Sequence, residues 1–136
     1  MGIISRFINV VRAYSNSFLD KAEDPEKMLQ QMLSDLEGQK RQAKQQMTEA
    51  LALQKRLERD TEKEHKEAEK WEQKAILAVQ NDKDDLAKEA LVRKKDHERR
   101  AEEFEIQLEK HRANAETLRS GYQAMEYKIC LLYTSD

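Results

Sequence analysis

Few residues in this chain have the means to do chemistry. Its histidines are His65, His97 and His111, set among 27 acidic side chains. Glu62-x-x-His65 has the spacing that stacks a carboxylate and an imidazole on one helix face, as one half of a di-iron bundle site does. Such a site needs a second Glu-x-x-His and further inward glutamates. Lys94 and Leu108 stand where those glutamates belong before His97 and His111, so the second half is missing. With so many carboxylates a lone Glu-x-x-His arises by chance, and metal binding is not expected. No His-Glu-x-x-His, glycine-rich phosphate loop or Gly-x-Ser-x-Gly elbow occurs. The chain is therefore read as a non-enzyme that uses no cofactor, with His97 and His111 as polar members of a helical seam.

Binding chemistry is better represented. Arg93-Lys94-Lys95-Asp96-His97-Glu98-Arg99-Arg100 is locally basic, but Asp96 and Glu98 dilute it and no aromatics interleave as base-stacking groups do. It reads as a solvated face with ion pairs to a neighbouring helix. The formal net charge of -2, from 25 basic and 27 acidic residues, gives no nucleic-acid footprint, and no specific nucleic acid is expected as a partner. Trp71, the only tryptophan, suits two roles. It can fill a seam between helices, or stand as an anchor for a protein partner.

The strongest binding signal is at the N-terminus. On a wheel at about 100° per residue, Ile3, Ile4, Phe7, Ile8, Val10, Val11, Tyr14, Phe18 and Leu19 fall within about half the circumference. Ser5, Asn9, Asn16, Ser17 and Asp20 occupy the other half, and Arg6 and Arg12 lie near the borders, placed to snorkel toward headgroups. This arc is wider than a coiled-coil seam. Everything after Pro25 is so polar that it offers little broad apolar surface to cover the arc, so the expected partner is an anionic membrane. The contacting residues are Ile3, Ile4, Arg6, Phe7, Ile8, Val11, Arg12, Tyr14 and Phe18. Each fully buried apolar side chain is worth about 1.5–3 kcal/mol, against about 1 kcal/mol per arginine on an anionic leaflet, so insertion dominates and charge selects the lipid. Arg6, Asn9 and Arg12 interrupt any signal-peptide core or apolar span of about 20 residues, so the segment lies on a membrane without crossing it. Packing on another subunit is the competing reading of the same face.

The elements that must hold these residues are helices. With 38% charged residues, 6% aromatic residues, three glycines and one proline, the chain lacks the punctuation that strands and tight turns need. The first helix is expected to stop near residues 22–23, because Asp24 is a good N-cap and Pro25 is favoured at the first position of the next helix. Asp24-Pro25 then acts as a hinge. A stripe follows through Leu29, Leu33, Leu36, Ala43, Met47, Ala50, Leu51, Leu57, Ala68, Trp71, Ala75 and Val79. Gln80 to Asp85 reads as a short turn. A further stripe runs from Leu86 through Ala101, Leu108, Ala115 and Tyr122 to Ile129.

The expected fold is all-α. An N-terminal amphipathic helix (residues 1–23) precedes a long antiparallel coiled-coil helical hairpin (24–129) turning near 80–85. Folding back sets Trp71 near Val92, Leu57 near Leu108, and Ala43 near Gly121 and Tyr122. Residues 130–136 break the charged texture, have no partner in this scheme, and read as a foreign or truncated tail. Cys130 is the only cysteine, which fits a reducing compartment.

Three stretches carry a family resemblance: Met1-Gly2-Ile3-Ile4-Ser5-Arg6-Phe7, the hinge block Leu19-Asp20-Lys21-Ala22-Glu23-Asp24-Pro25-Glu26-Lys27-Met28-Leu29, and Trp71-x-x-Lys74-Ala75-x-x-Ala78 with Asp85-Leu86-Ala87-x-x-Ala90-Leu91. Together they resemble the phage-shock protein A family, which includes the plastid vesicle-inducing proteins. The resemblance implies an ESCRT-III-like fold: a lipid-binding N-terminal helix, a long hairpin, and further C-terminal helices that lock subunits into rods or rings. It also implies a homo-oligomer in bacterial envelope stress, peripheral on the inner face of the cytoplasmic membrane, that binds anionic lipid and maintains or remodels that membrane. In some members the hairpin holds an AAA+ transcriptional activator inactive, which makes Trp71 a protein-partner contact. A plain coiled-coil scaffold is the remaining alternative. The sequence departs from the family pattern by stopping within the usual extent of the second long helix, which leaves assembly through the missing helices as an expectation for a longer chain.

Overall fold

The computed structural model describes residues 2–13 and 24–134. Three helices account for nearly all of them: α1 (Ile3–Ala13), α2 (Pro25–Gln80) and α3 (Asp84–Thr134). No strand occurs among the described residues. Tyr14 and Phe18 of the expected lipid-binding set, and the expected end of the first helix, lie outside the described residues.

Local chemistry explains the helix ends. Asp24 Oδ1 accepts the Lys27 backbone N–H at 3.1 Å and the Asp24 carbonyl accepts that of Met28 at 3.1 Å, so Asp24 is the N-cap of α2 with Pro25 at the first helical position. At the other end of α2 the Lys83 N–H reaches the Ala78 carbonyl (2.8 Å) and the Asp82 N–H reaches that of Val79 (3.1 Å). This is a Schellman closure, and its left-handed residue is Asp82 at φ 58° instead of the usual glycine. The Asn81 side-chain amide also donates to the Leu77 carbonyl at 2.7 Å. The Lys83 carbonyl then accepts Ala87 N–H at 3.0 Å to open α3, whose first turn carries Asp84 and Asp85 against the positive end of the helix dipole.

The chain packs as two compact units, residues Met1–Ala50 with Asn114–Asp136, and residues Leu51–Ala113. In the second, antiparallel stretches of α2 and α3 meet along a seam of small residues. Leu57, Ala68 and Ala75 are buried on one side, and Ala87, Ala90, Ala101 and Leu108 on the other. Polar pairs flank that seam in antiparallel register: Glu58 with Arg112 at 3.4 Å, Glu64 with His97 at 2.5 Å, and Glu72 with Lys94 at 3.6 Å. Thr61 is the buried polar residue of the seam, and its hydroxyl donates to the Leu57 carbonyl one turn back at 2.7 Å.

The other unit contains the main departure from expectation. Ile3 and Phe7 of α1, Met32, Leu36 and Ala43 of α2, and Met125 and Ile129 of α3 form one buried cluster. Ile4, Val10, Val11, Leu29, Tyr122 and Leu132 pack around it. The chain after Pro25 therefore does supply apolar surface for α1. No single helix looks broad enough, but one turn each of α2 and α3 together make a bed. The apolar run after Cys130 likewise has a partner at Leu132, and α3 continues through it.

Candidate functional site: α1 and the groove beside it

The apolar face of α1 is divided between two environments. Ile3 and Phe7 point into the cluster, with only 6% and 5% of their surfaces exposed. Ile8, one residue further round the helix, keeps 48% of its surface. Ile4, Val10 and Val11 are half-buried between these extremes, and Arg6 and Arg12 are exposed. Arg12 lies in the last turn, where a cation favours the negative end of the helix dipole.

Gly121 decides how closely α1 approaches α3. A Cβ placed there would run into Ile4 Cδ1 and lie 2.9 Å from Ile4 Cγ1. Beside this contact a groove of about 610 Å³ runs between α1 and α3, lined by Ile4, Phe7, Ile8, Val11, Gly121, Ala124 and Met125, with Arg12 and Lys128 as its charged members. Sequence reasoning placed Gly121 opposite Ala43 but missed its role toward α1, and missed Met32, Ala124 and Lys128 altogether. Gly121 and Ala124, three apart on one helix face, form a small-residue notch, and that spacing is the signal that could have marked the bed.

The other expected residues sit elsewhere. Asp24 and Pro25 form the cap of α2. Trp71, in the unit of residues Leu51–Ala113, is half-buried, with Lys74 Nζ 4.2 Å and the Arg93 guanidinium 5.1 Å from its ring centroid. Both cations are within cation–π range. Around the same end of that unit Leu77, Val79, Leu86 and Val92 are exposed. Of the basic run, Lys94 and His97 reach across to Glu72 and Glu64, while Arg93 and Arg99 pair within α3 with Glu89 and Asp96.

Glu62 and His65 do not act together: Glu62 pairs with Lys66 at 3.4 Å and His65 with Glu105 at 2.7 Å. They line an open cleft with Glu58 and Arg112. There a hydrogen bond from Gln54 holds the Glu58 carboxyl below its ordinary pKa of 4.5, and Arg112 adds a second hydrogen bond and its charge. Among the described residues no group of three or more His, Cys, Asp and Glu converges as a metal set does. No helix among them is long and apolar enough to cross a membrane.

Comparison with known proteins agrees with this arrangement. The family model described as the PspA/IM30 family matches residues 2–132. Over 129 residues the chain is 40% identical to the Membrane-associated protein Vipp1 of Synechocystis sp., covering 95% of this chain and 48% of that protein. It is 35% identical over 127 residues to the chloroplastic Membrane-associated protein VIPP1 of rice, covering 93% of this chain and 40% of the relative. It is 33% identical over 129 residues to a Phage shock protein A homolog of Deinococcus radiodurans, covering 95% and 58%. The chain thus spans about half the length of the curated relatives it matches.

Proposed function

The chain belongs to the PspA/IM30 family, and from that premise and the divided face of α1 we propose that it is a non-enzymatic, peripheral protein that binds anionic bilayers through α1. The proposal includes self-association and a role in maintaining or remodelling the inner membrane under envelope stress, from its cytoplasmic face. The observation that carries the reading is Ile8, left half-exposed between Arg6 and Arg12 on a helix whose other apolar flank is docked. An exposed isoleucine bordered by two arginines suits insertion at a headgroup boundary. The names of the Synechocystis and rice relatives, which call those proteins membrane-associated, support it. Self-association draws support from Leu77, Val79, Leu86 and Val92, an exposed apolar group of the kind that marks protein contacts.

The geometry also selects the cleaner test. Phe7→Asp would place a charge in the buried cluster and unfold the docked unit as well as weaken lipid contact. Ile8→Asp changes only the exposed flank. Co-sedimentation with phosphatidylglycerol vesicles is expected to fall at least tenfold in Ile8→Asp with the far-UV circular dichroism unchanged. Retained co-sedimentation overturns the reading.

A further inference from the structure

The groove between α1 and α3 has a chemistry of its own. Its apolar lining comes from both helices, through Ile4, Ile8 and Val11 on one wall and Ala124 and Met125 on the other, with Gly121 at the point of closest approach. The two charged residues along it, Arg12 and Lys128, are both cationic, and no acidic residue lines it. Its volume of about 610 Å³ falls within the range of roughly 300–1,000 Å³ typical of sites for one small ligand. A helix from a second copy, about 10–12 Å across with its side chains, needs a broader bed than a groove whose walls meet at Ile4 and Gly121.

We propose that this groove binds one single-chain anionic amphiphile, a lysophospholipid with an anionic headgroup, while α1 stays docked. The acyl chain lies between Ile8 and Val11 on one side and Ala124 and Met125 on the other. The headgroup sits at Arg12 and Lys128. The inference rests on the lipid-binding reading of α1, but concerns a different event. A bilayer takes the exposed flank of α1 as a surface. The groove takes a monomeric lipid as a ligand and needs α3 as its second wall.

The test is calorimetric titration of the full chain with lauroyl lysophosphatidylglycerol below its critical micelle concentration, with lauroyl lysophosphatidylcholine as the zwitterionic control. The expected result is saturation at one molecule per chain, with the phosphatidylglycerol lipid binding about tenfold more tightly than the control. Ala124→Trp, which fills the groove from an exposed helical position, abolishes that binding while phosphatidylglycerol vesicles still co-sediment with the variant. Lys128→Glu weakens the lysolipid about tenfold. Equal affinity for the two lysolipids, undiminished binding in Ala124→Trp, or saturation only at several lipids per chain overturns the proposal. So does an Ala124 amide resonance that shifts with protein concentration and not with lipid, which puts a second copy in the groove. Because vesicle binding and lysolipid binding are read separately, loss of the first alone sinks the bilayer reading and loss of the second alone sinks the groove.

Discussion

Ile4 of α1 rests over the bare backbone of Gly121 in α3, so close that a methyl group at position 121 would collide with the Ile4 side chain. Gly121 sits inside a helix, where alanine would be favoured by about 1 kcal/mol. The glycine is explained by what it lets α1 do. With Ile4 in the notch, Ile3 and Phe7 reach the cluster of Met32, Leu36, Met125 and Ile129.

Docking and membrane insertion draw on the same face, so the free energy of the first subtracts from the second. Full burial of Ile3 and Phe7 is worth about 1.5–3 kcal/mol each, and even the lower figure for one side chain corresponds to about tenfold in affinity. Gly121→Leu is therefore expected to release α1, to speed hydrogen exchange at its backbone amides, and to tighten binding to phosphatidylglycerol vesicles about tenfold. Exchange and vesicle titration, measured together, check this. Faster exchange with unchanged vesicle affinity would show that docking does not compete with the bilayer.

A second prediction contrasts two imidazole–carboxylate pairs in the hairpin unit. His97 and Glu64 meet with side chains only 19% and 15% exposed, whereas His65 and Glu105 are 55% and 51% exposed. Removing a partner from the sheltered pair leaves a carboxylate poorly hydrated and short of its donor, at a cost of about 1–3 kcal/mol. The open pair is worth less than about 1 kcal/mol. Urea denaturation should show His97→Ala clearly destabilised and His65→Ala close to the parent.

Much of this arrangement was legible in the residue pattern, and the part that was not has a physical reason. Leu36, Ala43, Leu57, Ala68 and Ala75 are buried as their spacing requires, and so are Ala101, Leu108, Ala115 and Ile129 on α3. Val79, Leu86 and Leu91 carry the same periodicity and are exposed. Periodicity says which side chains share a face, not whether a neighbour covers that face. The docking of α1 was illegible for a related reason. Its bed is assembled from Met32, Leu36, Met125 and Ile129, residues about ninety positions apart in sequence, and no window of either helix alone is apolar enough to announce it. The candidate site was half legible. The α1 residues were visible on the wheel, while Gly121, Ala124 and Lys128 supply the opposite wall and carry no pattern of their own.

The reversal between α2 and α3 yields a third prediction. Asp82 holds a left-handed backbone at φ 58°, which costs an L-residue about 1–2 kcal/mol, somewhat less for Asp than for most. Glycine enters that conformation freely. Asp82→Gly is expected to raise stability by about 0.5–1 kcal/mol without altering the Schellman hydrogen bonds from Lys83 and Asp82. Asp82→Val should lower it by at least as much, because a β-branched side chain tolerates positive φ poorly. Thermal melts of the two variants beside the parent check both directions.

The last prediction concerns acid. Glu58 titrates below its ordinary 4.5, first because Gln54 Nε2 donates to its Oε1 at 3.1 Å and further because Arg112 does so at 3.4 Å from the opposite helix. A folded-state pKa below the unfolded value means that the ionised carboxylate favours folding. That contribution is present above about pH 4.5 and is lost as pH falls through the lower, folded value. Gln54→Ala and Arg112→Ala should each raise the midpoint of the Glu58 carboxyl resonance followed by NMR. Salt separates the two causes: the neutral amide is indifferent to ionic strength, while the guanidinium charge is screened within about 8–10 Å at ordinary salt. In Gln54→Ala the remaining depression should therefore shrink as salt is added. In Arg112→Ala it should hold nearly constant, and a salt response as large as the parent's would show that the shift does not come from Arg112.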